Sequence, residues 1–188
     1  MRKIVFGLAL TAIVSLPAIA ALGVGDTVPK FEARASLAGE EFDYSLARAL
    51  EKGPVVVYFY PSAYTRGCNI QAHEFAENMD KFTAAGASVI GVSLDSIDRL
   101  NEFSADPEYC AGKLAVASDA SGDIAQSFNI NVRAAREGMK DTRGVEVHHG
   151  TAERTTFIVT SDGNIAATIG GISPLENVQK SLEAVQGL

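Results

Sequence analysis

Cys68 closes the run Pro61-Ser62-Ala63-Tyr64-Thr65-Arg66-Gly67-Cys68, and the chain carries one other cysteine, Cys110. A thiolate is a nucleophile and a thiol is a poor one; a free cysteine, titrating near ~8.5, is mostly protonated at neutral pH. The run supplies what a reactive cysteine needs. It comes after an apolar stretch, so Cys68 falls in the first turn of the helix that comes next. Unpaired backbone N–H groups and the helix dipole favour an anion there. Thr65, three residues earlier, has a hydroxyl to turn toward the helix start or toward an oxygen-bearing substrate. Pro61 ends the apolar stretch and is placed to shield the pocket from water. Taken singly, these residues fit an inert buried cysteine, an N-cap and a strand end; their joint spacing points to nucleophilic chemistry. A guanidinium would complete the site by holding thiolate and polar substrate together. Arg66, Arg133, Arg136, Arg143 and Arg154 are all available for that role.

Such a site needs a strand that stops and a helix that starts at the right place. Val55 to Tyr60 is apolar without alternation, as in a central strand covered on both faces. Cys68, Ala72, Phe75, Met79 and Phe82 recur at helical spacing, which predicts a helix ending at Gly86 with Cys68 on its buried side. Ser88 to Ser93 reads as a second strand. A helix capped by Asp95 or Ser96 comes next, and Asp106-Pro107 stops it. Leu114 to Ala117 reads as a short strand, Gly122 to Phe128 as a short helix, and 131–150 as loop. Before the central strand, Phe31 to Leu37 and Phe42 to Tyr44 form a hairpin, and Ser45 to Lys52 a turn or two of helix. After the loop, Thr155 to Val159 and Ile165 to Ile169 form a second hairpin. Ser173-Pro174-Leu175-Glu176 opens a last helix with Leu175, Val178, Leu182 and Val185 as its apolar stripe. The order β-α-β-α, then β-β-α, predicts an α/β, thioredoxin-like fold: a central mixed β-sheet flanked by helices.

Met1-Arg2-Lys3, an uncharged run from Ile4 to Gly25 and the small-residue pattern Ala18-Ile19-Ala20 read as a secretory signal peptide. A retained anchor is the alternative, since the run is nearly long enough to span a bilayer. The expected organisation is a signal peptide at 1–20 and one domain at 21–188, periplasmic or secreted. Loss of Arg2 and Lys3 moves the formal charge from −7 to −9. An acidic chain without a Lys/Arg cluster is a poor match for nucleic acid or, once the signal is cleaved, for an anionic membrane. His73, His148 and His149 lack metal-ligand spacing, and no phosphate-binding glycine loop or dinucleotide fingerprint occurs, so neither metal nor cofactor is expected. Cys68-Asn69-Ile70-Gln71 lacks a second cysteine two residues on, which argues against a disulfide reductase. In an oxidising compartment the cysteine count alone is equally compatible with one structural disulfide, Cys68–Cys110.

Pro61-x-x-x-Thr65-x-x-Cys68 resembles the active-site motif of the peroxiredoxins (AhpC/TSA-like), most closely in the branch that includes bacterioferritin comigratory protein. Val56 to Pro61 before it is similar too, as are Ile90-Gly91-Val92-Ser93-x-Asp95-Ser96, Ala117-Ser118-Asp119 and Arg154-x-Thr156-Phe157-Ile158-Val159 after it. The resemblance runs from about Gly25 to the C-terminus. It implies that Cys68 attacks the oxygen of hydrogen peroxide or an organic hydroperoxide and becomes a sulfenic acid. It further implies that Thr65 and Arg154 hydrogen-bond the peroxide, that Pro61 shields the site, and that a thioredoxin-like protein or another thiol restores the enzyme. Members of the branch often carry Glu three residues after the cysteine, where this chain has Gln71, and a resolving Cys five residues after it, where this chain has His73. Cys110 is then the thiol expected to condense with the sulfenic acid. The competing expectation is a non-enzymatic thioredoxin-fold redox sensor or binding module with Cys68–Cys110 as a structural disulfide.

Overall fold

The computed structural model describes residues 20–188, so the expected signal peptide lies, except for Ala20, outside the described residues. No helix among the described residues is long and apolar enough to cross a membrane. The described chain opens with a hairpin, β1 (Glu32–Leu37) and β2 (Glu40–Ser45), and a short helix α1 (Leu46–Leu50). Next come β3 (Val55–Phe59), the long helix α2 (Arg66–Ala84), β4 (Ser88–Ser93), α3 (Ile97–Ala105), β5 (Ala115–Ser118) and α4 (Asp123–Ser127). The strand pair β6 (Val132–Arg133) and β7 (Thr151–Ala152) precedes a closing hairpin, β8 (Thr155–Val159) and β9 (Ile165–Gly170), and the last helix α5 (Pro174–Gln186).

Seven strands form one mixed sheet in the order β2-β1-β5-β4-β3-β8-β9. β3 is parallel to β4, and β4 to β5, while β8 runs antiparallel to β3. This is the thioredoxin-like architecture the element order predicts. β3 is buried throughout because both of its faces are covered. Val56 and Tyr58 enter the core under α2, α3 and α5; Val55, Val57 and Phe59 enter the opposite core with Leu46, Leu50, Ala125 and Phe128. Each such side chain stabilises the fold by ~1.5–3 kcal/mol relative to exposure, which is why an uninterrupted apolar run selects the middle of the sheet. α2 approaches the sheet closely over Gly91. A Cβ there would stand 2.6 Å from the Tyr58 ring, and that ring stacks on Phe75 of α2 at 4.5 Å.

Two elements differ from expectation. In α5 the buried residues are Asn177, Val178, Ser181 and Val185, and Leu175 is 42% exposed. The apolar stripe misplaced the first turn because that turn packs against polar groups. The 131–150 segment is mainly loop, but it begins with β6 and is folded back by a bridge between Lys140 and Glu146. Pairs this short leave no periodic signal.

Candidate active site

The sheet register gathers the site. β3 and β8 are antiparallel, with Phe59 opposite Thr155, so the residues just after β3 meet those just before β8. Pro61 through Cys68 therefore comes to the same end of the sheet as Arg154. β4 is parallel to β3, so Asp95, just beyond β4, arrives there too.

Cys68 lies in the first turn of α2 and is 2% exposed. Its backbone N–H donates to the Thr65 carbonyl at 2.9 Å. Arg154 Nη2 donates to Cys68 Sγ at 3.3 Å. Its Nη1 donates to the side-chain oxygen of Gln71, one helical turn after the cysteine. Gln71 Nε2 donates in turn to Asn177 Oδ1 of α5 at 2.9 Å, and both amides are fully buried. Space for the guanidinium comes from Gly67, where a Cβ would stand 3.1 Å from Arg154 Nη2 and 3.5 Å from Pro174 Cγ. Of the other arginines considered from sequence, Arg66, Arg133 and Arg136 are exposed, and Arg143 is engaged elsewhere with Asp141 and Glu102.

Thr65 is the N-cap residue of α2, but its hydroxyl does not cap the helix. It donates to the Ser62 carbonyl at 2.8 Å, which leaves the oxygen's lone pairs free to accept from a bound substrate. Pro61 is half-buried two residues after the end of β3. Between them Tyr64 adopts φ 60°, a left-handed conformation that costs a bulky residue ~1–2 kcal/mol. The Tyr64 carbonyl accepts from both the N–H and the hydroxyl of Thr142, at 2.9 and 2.7 Å. Asn69 Nδ2 donates to the same Thr142 hydroxyl at 3.2 Å, and the Arg143 guanidinium lies 3.3 Å from the centre of the Tyr64 ring.

Asp95 ties the first half of the loop. One carboxylate oxygen accepts from the Ala63 N–H at 2.7 Å and from Ser93; the other accepts from Ser62 Oγ at 2.8 Å, Arg99 Nε at 2.9 Å and His149 Nε2 at 2.8 Å. Arg99 also reaches Asp141 at 2.8 Å. Burial works against the charged form of Asp95. The hydrogen bond and charge of His149, with the Ala63 N–H and Ser93 hydroxyl, outweigh it and hold the carboxyl below its ordinary 3.8. Burial works against a charged His149 as well, but the bond to Asp95 outweighs it and raises the imidazole above 6.5. Sequence reasoning placed Asp95 only as a cap or a flanking match, and it is Ser96 that caps α3, accepting from the Arg99 N–H. It set His149 aside and overlooked Thr142 and Asn177. The concentration of charge in the 131–150 loop was the available signal.

Cys110 is fully buried beyond α3, and both cysteines are free thiols. Burial, reinforced by nearby Asp106, pushes the Cys110 thiol far above its usual range. His73 lies with Nδ1 3.0 Å from the Glu108 carbonyl, in the turn that carries Cys110.

The arrangement is a buried sulfur at a helix start, beside a guanidinium and an accepting hydroxyl. Known proteins resemble this chain in sequence and in fold. The model of the AhpC/TSA family matches residues 24–168. Peroxiredoxin Bcp of Escherichia coli (strain K12) is 31% identical over 144 residues, 77% of this chain and 83% of its own. Peroxidoxin BcpB from Mycobacterium tuberculosis superimposes with a TM-score of 0.73 at 27% identity, covering 89% of this chain and 98% of that one. A structure of the bacterioferritin comigratory protein of Xanthomonas campestris, described for its alkyl peroxide reduction activity, gives 0.64 at 26% identity over 82% of this chain and 90% of that one.

Proposed function

The chain belongs to the AhpC/TSA family of peroxiredoxins and is a thiol-dependent peroxidase; we propose that Cys68 is its peroxide-attacking nucleophile, Cys110 its resolving thiol, and hydrogen peroxide or an organic hydroperoxide its substrate. The observation that carries this reading is the 3.3 Å approach of Arg154 to Cys68 Sγ. The guanidinium sets a positive charge and planar hydrogen-bond donors beside the sulfur, where a peroxide would bind.

The Cys68 thiolate attacks one peroxide oxygen. The S–O bond forms as the O–O bond breaks, the other oxygen leaves as alkoxide or hydroxide and takes a proton, and Cys68 becomes a sulfenic acid. Arg154 and the Ala63–Thr65 loop hold the leaving and attacked oxygens, with Thr65 Oγ1 accepting a hydrogen bond from the peroxide O–H. The exposed apolar side chains of Ile70, two residues beyond Cys68, and Leu175, beside Pro174, offer an alkyl group a non-polar rest. The Xanthomonas relative's alkyl peroxide activity supports that class of substrate.

The Cys110 thiol then attacks the sulfenic sulfur; the S–S bond forms and water leaves. Both thiols are buried and free; a disulfide requires Cα atoms within ~7 Å, and opening of the first turn of α2 brings the two sulfurs together. A thioredoxin-like protein or another thiol supplies the two electrons that reopen the disulfide. The assay is loss of peroxide with dithiothreitol as reductant. Cys68→Ser loses turnover, and Arg154→Ala slows it about a hundredfold. A Cys68→Ser protein that consumes peroxide at the wild-type rate would refute the assignment.

The N-terminal pattern supports export to the periplasm or beyond. Intact-mass measurement of the protein recovered outside the cytoplasm gives a chain beginning near Ala21; a full-length mass there rules out cleavage.

A further inference from the structure

Arg154 differs from the other arginines engaged around the sheet. Arg34, Arg99 and Arg143 each pair with carboxylates. Among the described residues no carboxylate pairs with Arg154; its partners are the sulfur of Cys68 and the neutral amide of Gln71. The reason for an amide at position 71 lies one layer further out.

Asn177 Nδ2 donates to the backbone carbonyl of Ile169 at 3.1 Å. A carbonyl only accepts, so this bond decides which end of the Asn177 amide points where. The Asn177 oxygen is left facing inward, where it accepts from Thr156 Oγ1 at 2.6 Å and from Gln71 Nε2 at 2.9 Å. An acceptor there demands a donor from position 71. Once Gln71 turns its NH2 group to Asn177, its oxygen faces Arg154. Gln71, Asn177 and Thr156 are all fully buried, so no water replaces a lost partner cheaply. A glutamate at 71 would set a carboxylate oxygen against the oxygen of Asn177.

We propose that Gln71 and Asn177 are a matched pair of positioning residues that hold Arg154 through a neutral amide and so reserve its positive charge for the sulfur of Cys68. The inference rests on Cys68 being the reactive nucleophile, but its test does not depend on turnover. In a Cys110→Ser background, Cys68 is alkylated in parallel with iodoacetate, which is anionic, and iodoacetamide, which is neutral. Both reagents consume the same thiolate, so the ratio of their rates reports the charge around the sulfur and not its ionised fraction.

Gln71→Glu places a negative charge beside the guanidinium and lowers the iodoacetate-to-iodoacetamide ratio about tenfold. Asn177→Ala changes no charge. It frees the Gln71 amide to turn, lets Arg154 swing away, and lowers the ratio several-fold. A wild-type ratio in either folded variant overturns the proposal. Loss of peroxide turnover in the wild type with both ratio changes present would instead sink the peroxidase assignment and leave the electrostatic one standing.

Discussion

Gly67 is a glycine inside the first turn of a helix, where alanine would be favoured by about 1 kcal/mol. Its lack of a side chain answers to Arg154, whose guanidinium fills the place a Cβ would approach. Helix stability and the reactive geometry are therefore opposed at this one position. Gly67→Ala is expected to leave the melting temperature unchanged or raised while kcat/KM for peroxide falls about tenfold, since small displacements of a positioning group are costly in rate. Circular-dichroism melting alongside peroxide kinetics separates the two effects; a variant that loses stability and activity together would show that the contact with Arg154 is not what the glycine serves. The hydroxyl of Thr65 makes the same point about single residues. Its position three residues before Cys68 was legible from the sequence, but its partner, the Ser62 carbonyl, depends on the bend at Tyr64.

At the level of elements, the loop between β3 and α2 is held from outside. Asp95 beyond β4 binds its first half, and Thr142 in the long loop binds Tyr64. The His149–Asp95 pair adds a pH dependence whose sign is set by the two shifts. The imidazole is raised above 6.5 in the folded chain, so its contribution is fully present below that value and is lost as pH rises through the folded one. Asp95 is held below 3.8, so its contribution is present above that value and lost as pH falls through the lowered one. Arg99 on α3, with Asp141, Glu146 and the exposed His148 in the long loop, are the other charged or titratable groups around the pair. The urea midpoint of the wild type therefore declines with rising pH from about 6.5 upward, and His149→Gln removes the decline; an identical slope in the variant would place the effect elsewhere. None of this was readable from periodicity. The strand of Val55 to Phe59 and the helix of Cys68 to Phe82 were, because burial repeats with the backbone. Asp95, Thr142 and Asn177 act through single tertiary contacts that repeat with nothing. In α5 the apolar stripe even misplaced Leu175, because the face turned inward carries Asn177 at the first turn and Ser181 at the next.

For the whole molecule, the two thiols belong to different parts of one core, Cys68 on α2 and Cys110 in the turn after α3. Bringing them together disturbs both parts at once. Cys110→Ser is expected to retain the first, single-turnover reaction with peroxide. It forms no disulfide within the monomer by non-reducing mass spectrometry and turns over far more slowly when thioredoxin is the reductant. Thioredoxin-supported turnover at the wild-type rate would remove Cys110 from the cycle. The fold class and the place of Cys68 at the strand–helix junction were legible because that junction and its octad lie in one continuous stretch; the rest of the candidate site is assembled from Arg154 and α5, far along the chain. That distance has a consequence for biosynthesis. Cys68 leaves the ribosome long before Arg154, and Asn177 follows later still. A nascent or half-folded chain thus carries Cys68 without the guanidinium that stands 3.3 Å from its sulfur in the folded one.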